Sequence, residues 1–289
     1  MMLSLRTILC PVDMSPASRI VLSWTGLFAQ VFDANVKVLH AESLDPPRYF
    51  TQSQLETLAV RTEANRAILR EELLQRTREV FPPGVSCDVV VAEGHPIPVI
   101  LRHTALEPPD LIILGSHGRS GVARLLLGSV AENIVREATC FTLIVKGTEG
   151  VSPSVKRVLC PVNFTDLARQ CLEVSSAVTV AFKAKLDVAH TVEIRSSEPE
   201  EEYQRLCRWV PDETRERCDL VEIVREGAAA EQIVLLAREH AADLIVLGAQ
   251  HSPFLEFTTL GTTTERVIRH SSCSVLLVPV KDSRFRGKQ

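Results

Sequence analysis

Apolar residues follow two rhythms along this chain. Short unbroken runs such as Leu111-Ile112-Ile113-Leu114 show no polar alternation, which fits strands of a parallel sheet covered by helices on both faces. Elsewhere the spacing is helical: Ile20, Val21, Trp24, Leu27, Phe28 and Val31 form one stripe. The first half therefore reads as alternating strand and helix. "TILCPV" is a strand, and Ser15-Pro16 supplies a capping residue and a proline at the first helical position. "NVKVLHA" is the second strand, and residues 51–80 form a long amphipathic helix. "CDVVVAEG" is the third strand, a helix runs from Ile97 to Thr104, and "DLIILG" is the fourth strand. A helix with the stripe Val130, Ile134, Val135 and Ala138 follows Gly128-Ser129, and "FTLIVK" closes the half.

The pattern then returns. "RTILCPVDMS" (Arg6 to Ser15) recurs as "KRVLCPVNFT" (Lys156 to Thr165), 150 residues later, and "VKVLHAE" recurs near Leu186 at the same offset. "DLIILGSHG" recurs as "DLIVLGAQH" and "TCFTLIV" as "SCSVLLV", both at an offset of 133, so 17 residues are lost between these landmarks. Such self-similarity marks a duplicated domain. Residues 1–147 form the first copy, 148–154 a polar linker bearing Gly and Pro, and 155–289 the second. The expected fold class is α/β, with two doubly wound parallel five-stranded sheets. Such sheets bind ligands at the carboxyl ends of their strands, near the point where strand order reverses.

Composition narrows the function. With 45% hydrophobic and 24% charged residues and a net charge of −4, the chain has a globular balance and no nucleic-acid footprint. No apolar stretch reaches the roughly 18 residues of a membrane span. The N-terminal "MMLSLRTILCPVD" reads as a first strand and not as a leader peptide, so a cytoplasmic location is expected. The eight cysteines show no C-x-x-C spacing. Several sit inside apolar runs as small hydrophobes, and neither a metal site nor a disulfide framework is expected.

The candidate chemistry lies in "GSHGRSGVARLLLGSVAENI", Gly115 to Ile134. Gly115 ends a strand and lets a ligand approach its backbone without meeting a Cβ. Gly118 allows a sharp turn whose amides can face an anion. Gly128-Ser129 opens a helix whose first amides lack internal partners and whose dipole favours negative charge. Strand, loop and helix N-terminus thus meet where a di- or triphosphate fits. Glycines also follow parallel strands without any ligand, and a serine caps a helix on its own account; the spacing alone leaves both readings open. Neither a Walker A motif nor G-x-G-x-x-G is present.

Gly115-Ser116-His117-Gly118, nine residues and then Gly128-Ser129 match the G-x-x-G, nine residues, G-[ST] pattern of nucleotide-binding universal stress proteins. "ILCPVDMS" with Asp13 matches that family's first strand, and Leu39-His40-Ala41 its second. The chain resembles a tandem member of the family. The resemblance implies ATP as the ligand, with Mg²⁺ held through its phosphates. It implies that Pro11, Val12 and Asp13 contact the adenosine, and that Ala41 offers backbone groups to the adenine edge. Gly115, Gly118, Arg119, Gly128, Ser129 and Val130 would line the phosphates. A helix-capping role competes for Asp13, and a solvated surface competes for Arg119 and Arg124. Family members pair through their fifth strands, which implies intramolecular pairing of "FTLIVK" with "VLLVPV" and leaves a further homodimer open.

The second copy departs from the pattern. Asn163 stands for Asp13 and His251 for Gly118, while Gly248, Gly261 and Thr262 remain. An imidazole at the turn intrudes on the phosphate space, and a residue with a Cβ resists positive φ. The second copy is therefore expected to bind ATP weakly or not at all, and to serve as a pairing partner or a binder of an apolar ligand. His117 and His251 have no second ligand at fixed spacing, and His40 and His190 recur at strand ends as packing residues, so no metal site is assigned. Three functions compete: a nucleotide-binding stress or signalling protein with unidentified protein partners, an adenylyl-transfer enzyme, and a nucleotide-free interaction module. The H-x-G-H signature of the second is absent. With no catalytic base to assign, at most slow ATP hydrolysis is expected.

Overall fold

The computed structural model describes residues 3–43, 52–116, 127–147, 151–192, 199–249 and 261–280, with side chains undescribed at 52–61 and 199. In chain order the first half contains β1 (Thr7–Val12), α1 (Ser18–Phe32), β2 (Asn35–Glu42), α2 (Gln52–Val80), β3 (Cys87–Glu93), α3 (Pro96–Leu106), β4 (Leu111–Gly115), α4 (Ser129–Glu137) and β5 (Phe141–Val145). The second contains β6 (Arg157–Val162), α5 (Asp166–Phe182), β7 (Lys185–Val192), α6 (Pro199–Trp209), α7 (Asp212–Arg217), β8 (Asp219–Glu226), α8 (Ala229–Glu239), β9 (Leu244–Ala249), α9 (Thr262–His270) and β10 (Ser274–Pro279). The missing residues of the second copy fall where α2 stands in the first. There Pro211, which lacks an N–H and restricts the residue before it, separates the shorter α6 from α7.

The two parallel five-stranded sheets fuse into one ten-stranded sheet of order β3-β2-β1-β4-β5-β10-β9-β6-β7-β8. Within each half all pairs are parallel. The junction is the antiparallel pair β5–β10, with Val275 opposite Ile144, Leu276 opposite Leu143 and Leu277 opposite Thr142. The fifth strands thus cover each other's edges inside one chain. Lys146 reinforces the seam. Its amide donates to Ser274 Oγ at 3.1 Å, and its Nζ donates to the carbonyls of Ser271 (2.8 Å) and Arg269 (3.2 Å), capping the C-terminus of α9.

Helices cover both faces. One apolar layer packs α1, α2, α5 and α6 against the sheet, and the other packs α3, α4, α8 and α9. Both layers run across the seam, and Phe28 of α1 meets Phe182 of α5 with ring centroids 5.2 Å apart. This is not the packing of two loosely joined domains. All eight cysteines are free. Burial pushes the thiols of Cys10, Cys140, Cys160 and Cys273 up to about 12, consistent with inert core residues. Among the described residues no helix is long and apolar enough to cross a membrane.

The start of α1 corrects the sequence reading. Ser15 and Pro16 do not cap it; the helix begins at Ser18 after a turn in which the Ser18 amide bonds the Ser15 carbonyl. The cause is Asp13, whose Oδ1 accepts from the Ser15 amide (3.0 Å), Ser15 Oγ (2.6 Å) and Ser18 Oγ (2.8 Å). A carboxylate that captures three donors outcompetes a serine for the turn.

Candidate functional site

In the first half strand order reverses between β1 and β4, which are hydrogen-bonded neighbours. Their carboxyl ends leave the sheet side by side, Pro11-Val12-Asp13 from one and Gly115-Ser116 from the other. The chain returns at Gly128, whose amide donates to the Ser116 carbonyl at 2.8 Å, while the Ser116 amide donates to the Val145 carbonyl at 3.1 Å. These two bonds dock the N-terminus of α4 onto the end of β4. Among the described residues no side chain caps α4, which leaves its first-turn amides, at Ser129 and Val130, as donors an anion can use. Ala41 lies in β2, in register with Ala92 of β3, at the same edge. The structure thus brings together Pro11, Val12, Asp13, Ala41, Gly115, Gly128, Ser129 and Val130. Gly118, Arg119, His117 and Arg124 lie outside the described residues.

The corner after β1 is held in place by its neighbours. Met14 adopts a left-handed φ of 62°, as does its repeat counterpart Phe164; a non-glycine residue there costs on the order of 1–3 kcal/mol and persists only when surroundings enforce it. Arg76 of α2 donates to the Met14 carbonyl at 3.0 Å. The buried His40 contacts the Val12 carbonyl through Nδ1 at 2.8 Å, and His190 contacts Val162 in the same way at 2.9 Å. A carbonyl can only accept, so Nδ1 carries the proton and both histidines are structural ties between strands. Asp13 Oδ1 holds the turn before α1 as described above, and no side chain caps the helix itself among the described residues. Among the described residues no group of three or more His, Cys, Asp or Glu could hold a metal.

The second half is built on the same plan but filled. Leu167 presses onto Gly248, the counterpart of Gly115: a Cβ there would lie 2.4 Å from Leu167 Cδ2. The repeat partner of Leu167 is Ala17. Phe164 replaces Met14 and packs against His190 (centroids 4.3 Å) and Trp209 (5.7 Å), with the Arg205 guanidinium 4.3 Å above it. Thr165 caps α5 by accepting from the Ala168 amide at 3.2 Å, and its hydroxyl donates to Asn163 Oδ1 at 2.7 Å. Thr264 Oγ donates to the Gly248 carbonyl at 3.0 Å, where the first half has Ala131. The obstruction expected from His251 lies outside the described residues. Leu167 and Phe164 were not anticipated, although aligning the copies at the 150-residue offset sets each bulky residue against a smaller one.

A groove of about 620 Å³ lies elsewhere, between α8 and α9, lined in part by Arg238, Arg266 and His270. All three are exposed, and they form a solvated helix face.

Comparison with known proteins agrees with this architecture. The model of the Universal stress protein family matches residues 4–146 and again 154–279. A universal stress protein of Thermus aquaticus is 30% identical over 143 residues, covering 49% of this chain and 98% of the relative. One from Methanocaldococcus jannaschii is 27% identical over 149 residues, covering 49% of this chain and 82% of the relative. The crystal structure of a universal stress protein from Archaeoglobus fulgidus superposes with a TM-score of 0.72 at 23% identity, covering 94% of this chain and 96% of that one.

Proposed function

Because the chain belongs to the universal stress protein family, we propose that its N-terminal domain, residues 1–147, binds one ATP and that its C-terminal domain, residues 155–289, binds none. Ala41 offers backbone groups to the adenine, and Asp13 accepts from the ribose hydroxyls, where a carboxylate suits a donor and repels a phosphate. Gly115, Gly118, Arg119, Gly128, Ser129 and Val130 surround the phosphates, which carry the Mg²⁺. The observation that carries this reading is the uncapped α4 N-terminus tied to the end of β4 through Gly128 and Ser116, set against Leu167 packed over the matching glycine of the other copy. The helix end alone does not separate the copies, since among the described residues α9 is likewise uncapped at Gly261; Leu167 beside Gly248 is what argues against an anion in the second.

The site offers positioning and electrostatics without an assigned base, so ATP acts as a bound signal in the cytoplasm. It biases the surface shown to protein partners in a stress response, with at most slow turnover. Leu167, Phe164 and Trp209 favour a nucleotide-free role for the C-terminal domain.

Calorimetric titration of the full chain with Mg-ATP tests both statements. One equivalent is expected. Ser129→Ala is expected to weaken binding by about 1.5–3 kcal/mol, the worth of a hydrogen bond to a charged group, and Gly118→His by more. Two equivalents would overturn the account of the second domain; none would overturn the proposal.

A further inference from the structure

The outermost strands of the ten-stranded sheet are β3 and β8, repeat counterparts that treat their free edges differently. In the first half the Gly94 amide donates to the Glu42 carbonyl at 2.9 Å, so even-numbered residues of β3 face β2 and Val89 turns its backbone groups outward. That edge is guarded: Arg70 of α2 donates to the Val89 carbonyl at 3.1 Å. In the second half the Gly227 amide donates to the Val192 carbonyl at 3.0 Å, so Leu220, Glu222 and Val224 present their backbone groups outward. Glu222 stands where Val89 stands in the first copy, yet α6 and α7 bring no donor to its carbonyl. Arg215 of α7 instead grips the Glu222 carboxylate, through Nη2 at 2.6 Å and Nε at 3.1 Å. Among the described residues no hydrogen bond reaches the outward backbone of these three residues. β8 also has no proline, lysine or bulge, the usual guards of an edge strand.

The side chains of β8 complement themselves. Laid antiparallel on itself about Glu222, the segment "DLVEIVR" sets Asp219 against Arg225, Leu220 against Val224 and Val221 against Ile223. Asp219 and Arg225 fall at non-hydrogen-bonded positions, where facing side chains come closest. Glu222 meets its own copy, but each carboxylate keeps the Arg215 guanidinium that offsets its charge. The same operation on β3 about Val90 sets Asp88 against Ala92 and Cys87 against Glu93, with no opposite charges facing. Large apolar side chains also stand exposed beside the β8 edge, Val221 on the strand and Tyr203 on α6. A hydrogen bond to Cys207 raises the Tyr203 hydroxyl above its ordinary pKa, and the nearby Glu222 charge adds to the shift.

We propose that β8 is a docking edge for a second copy of this chain, the two β8 strands pairing antiparallel about Glu222 into one continuous sheet. Leu220, Glu222 and Val224 exchange main-chain hydrogen bonds with Val224, Glu222 and Leu220 of the second copy, and two Asp219–Arg225 pairs close the ends. The same patch serves both partners, so the contact stops at a dimer. It does not depend on nucleotide binding by the first half.

Sedimentation of the full chain across a concentration series tests the pairing, and a monomer–dimer equilibrium is expected. Asp219→Arg and Arg225→Asp each set like charges opposite one another and are expected to raise the dissociation constant about tenfold. The double variant carrying both is expected to restore it. Val221→Lys, at an exposed position, is expected to abolish pairing, whereas Asp88→Lys, its counterpart on β3, leaves it unchanged. In hydrogen-exchange NMR of the parent chain, the amides of Leu220, Glu222 and Val224 are expected to gain protection as concentration rises. A monomer at every concentration, assembly beyond the dimer, or exchange at those amides that ignores concentration would each overturn the proposal. So would single reversals without effect, a double variant no better than the singles, or sensitivity to Asp88→Lys. The exchange measurement needs no variant, so it decides the matter even where a substitution unfolds the chain.

Discussion

At the amino edge of the sheet the two copies reverse their charges. Lys37 of β2 pairs with Glu107 in the first half. At the matching positions Asp187 of β7 accepts from Arg157 at 2.8 Å and meets His240 Nδ1 at 2.8 Å. Asp187 is fully buried, so its charge is tolerable only because these partners replace water. Removing Asp187 forfeits hydrogen bonds to charged partners, worth about 1.5–3 kcal/mol, while the partly exposed Arg157 and His240 regain water. Asp187→Ala is expected to destabilise by that amount in urea unfolding, and Asp187→Asn by less, since it keeps an acceptor for Arg157. A loss below about 1 kcal/mol for the alanine variant, the range of exposed pairs, would show that solvent already screens the cluster. The second half carries no periodicity signal for this exchange, because a lysine and an aspartate both interrupt a strand's apolar run. Only setting the copies against each other exposes it.

Elements were more legible than their ends. Strand and helix order followed from unbroken apolar runs and the 3.6-residue stripes, since a two-faced parallel sheet leaves little freedom in pattern. The start of α1 was misread because Ser15-Pro16 has the local signature of a cap, while the deciding acceptor, Asp13, lies at the end of the preceding strand. Leu167 was missed for the same reason: its partner Gly248 is distant in sequence, and contact across a fold has no local period. The cap on α9 is also tertiary, coming from Lys146 beyond β5. Burial lowers the Lys146 amine from 10.5 to about 8. Between those values the unfolded chain holds more protons on this group, so its contribution to stability rises with pH. The buried thiols act oppositely: Cys10 and Cys160 move from 9.0 to about 12, so unfolded thiols ionise first and stability falls above pH about 9. Lys146→Met removes the opposing contribution. Its stability is expected to fall more steeply than that of the parent between pH 8 and 10.5, by up to about 1.4 kcal/mol per pH unit. Parallel urea-derived profiles would show instead that the amine is not desolvated.

The ten-stranded sheet has an internal symmetry that makes a prediction about its separated halves. Leu276 lies opposite Leu143 in the β5–β10 pair, and the 133-residue offset gives 276 − 133 = 143, so each is the repeat counterpart of the other. Val275 opposite Ile144 and Leu277 opposite Thr142 obey the same relation, since 275 − 133 = 142 and 277 − 133 = 144. The pseudo-twofold axis therefore passes between Leu143 and Leu276. A lone first half would present β5, "FTLIV", as an unpaired apolar edge, and a second copy can meet it in the same register with Leu143 opposite Leu143. Such an isologous contact closes on itself, because the same patch serves both partners. Residues 1–150 are accordingly expected to run as a dimer in light-scattering chromatography while the full chain runs without that contact available. Leu143→Lys in the fragment places two like charges directly opposite each other, which is destabilising, and is expected to yield a monomer or an aggregate. A monomeric parent fragment would show that the edge is protected by some means other than its partner strand, and that the fusion of the two sheets is not what the symmetric register implies: a dimer interface made permanent by duplication within one chain.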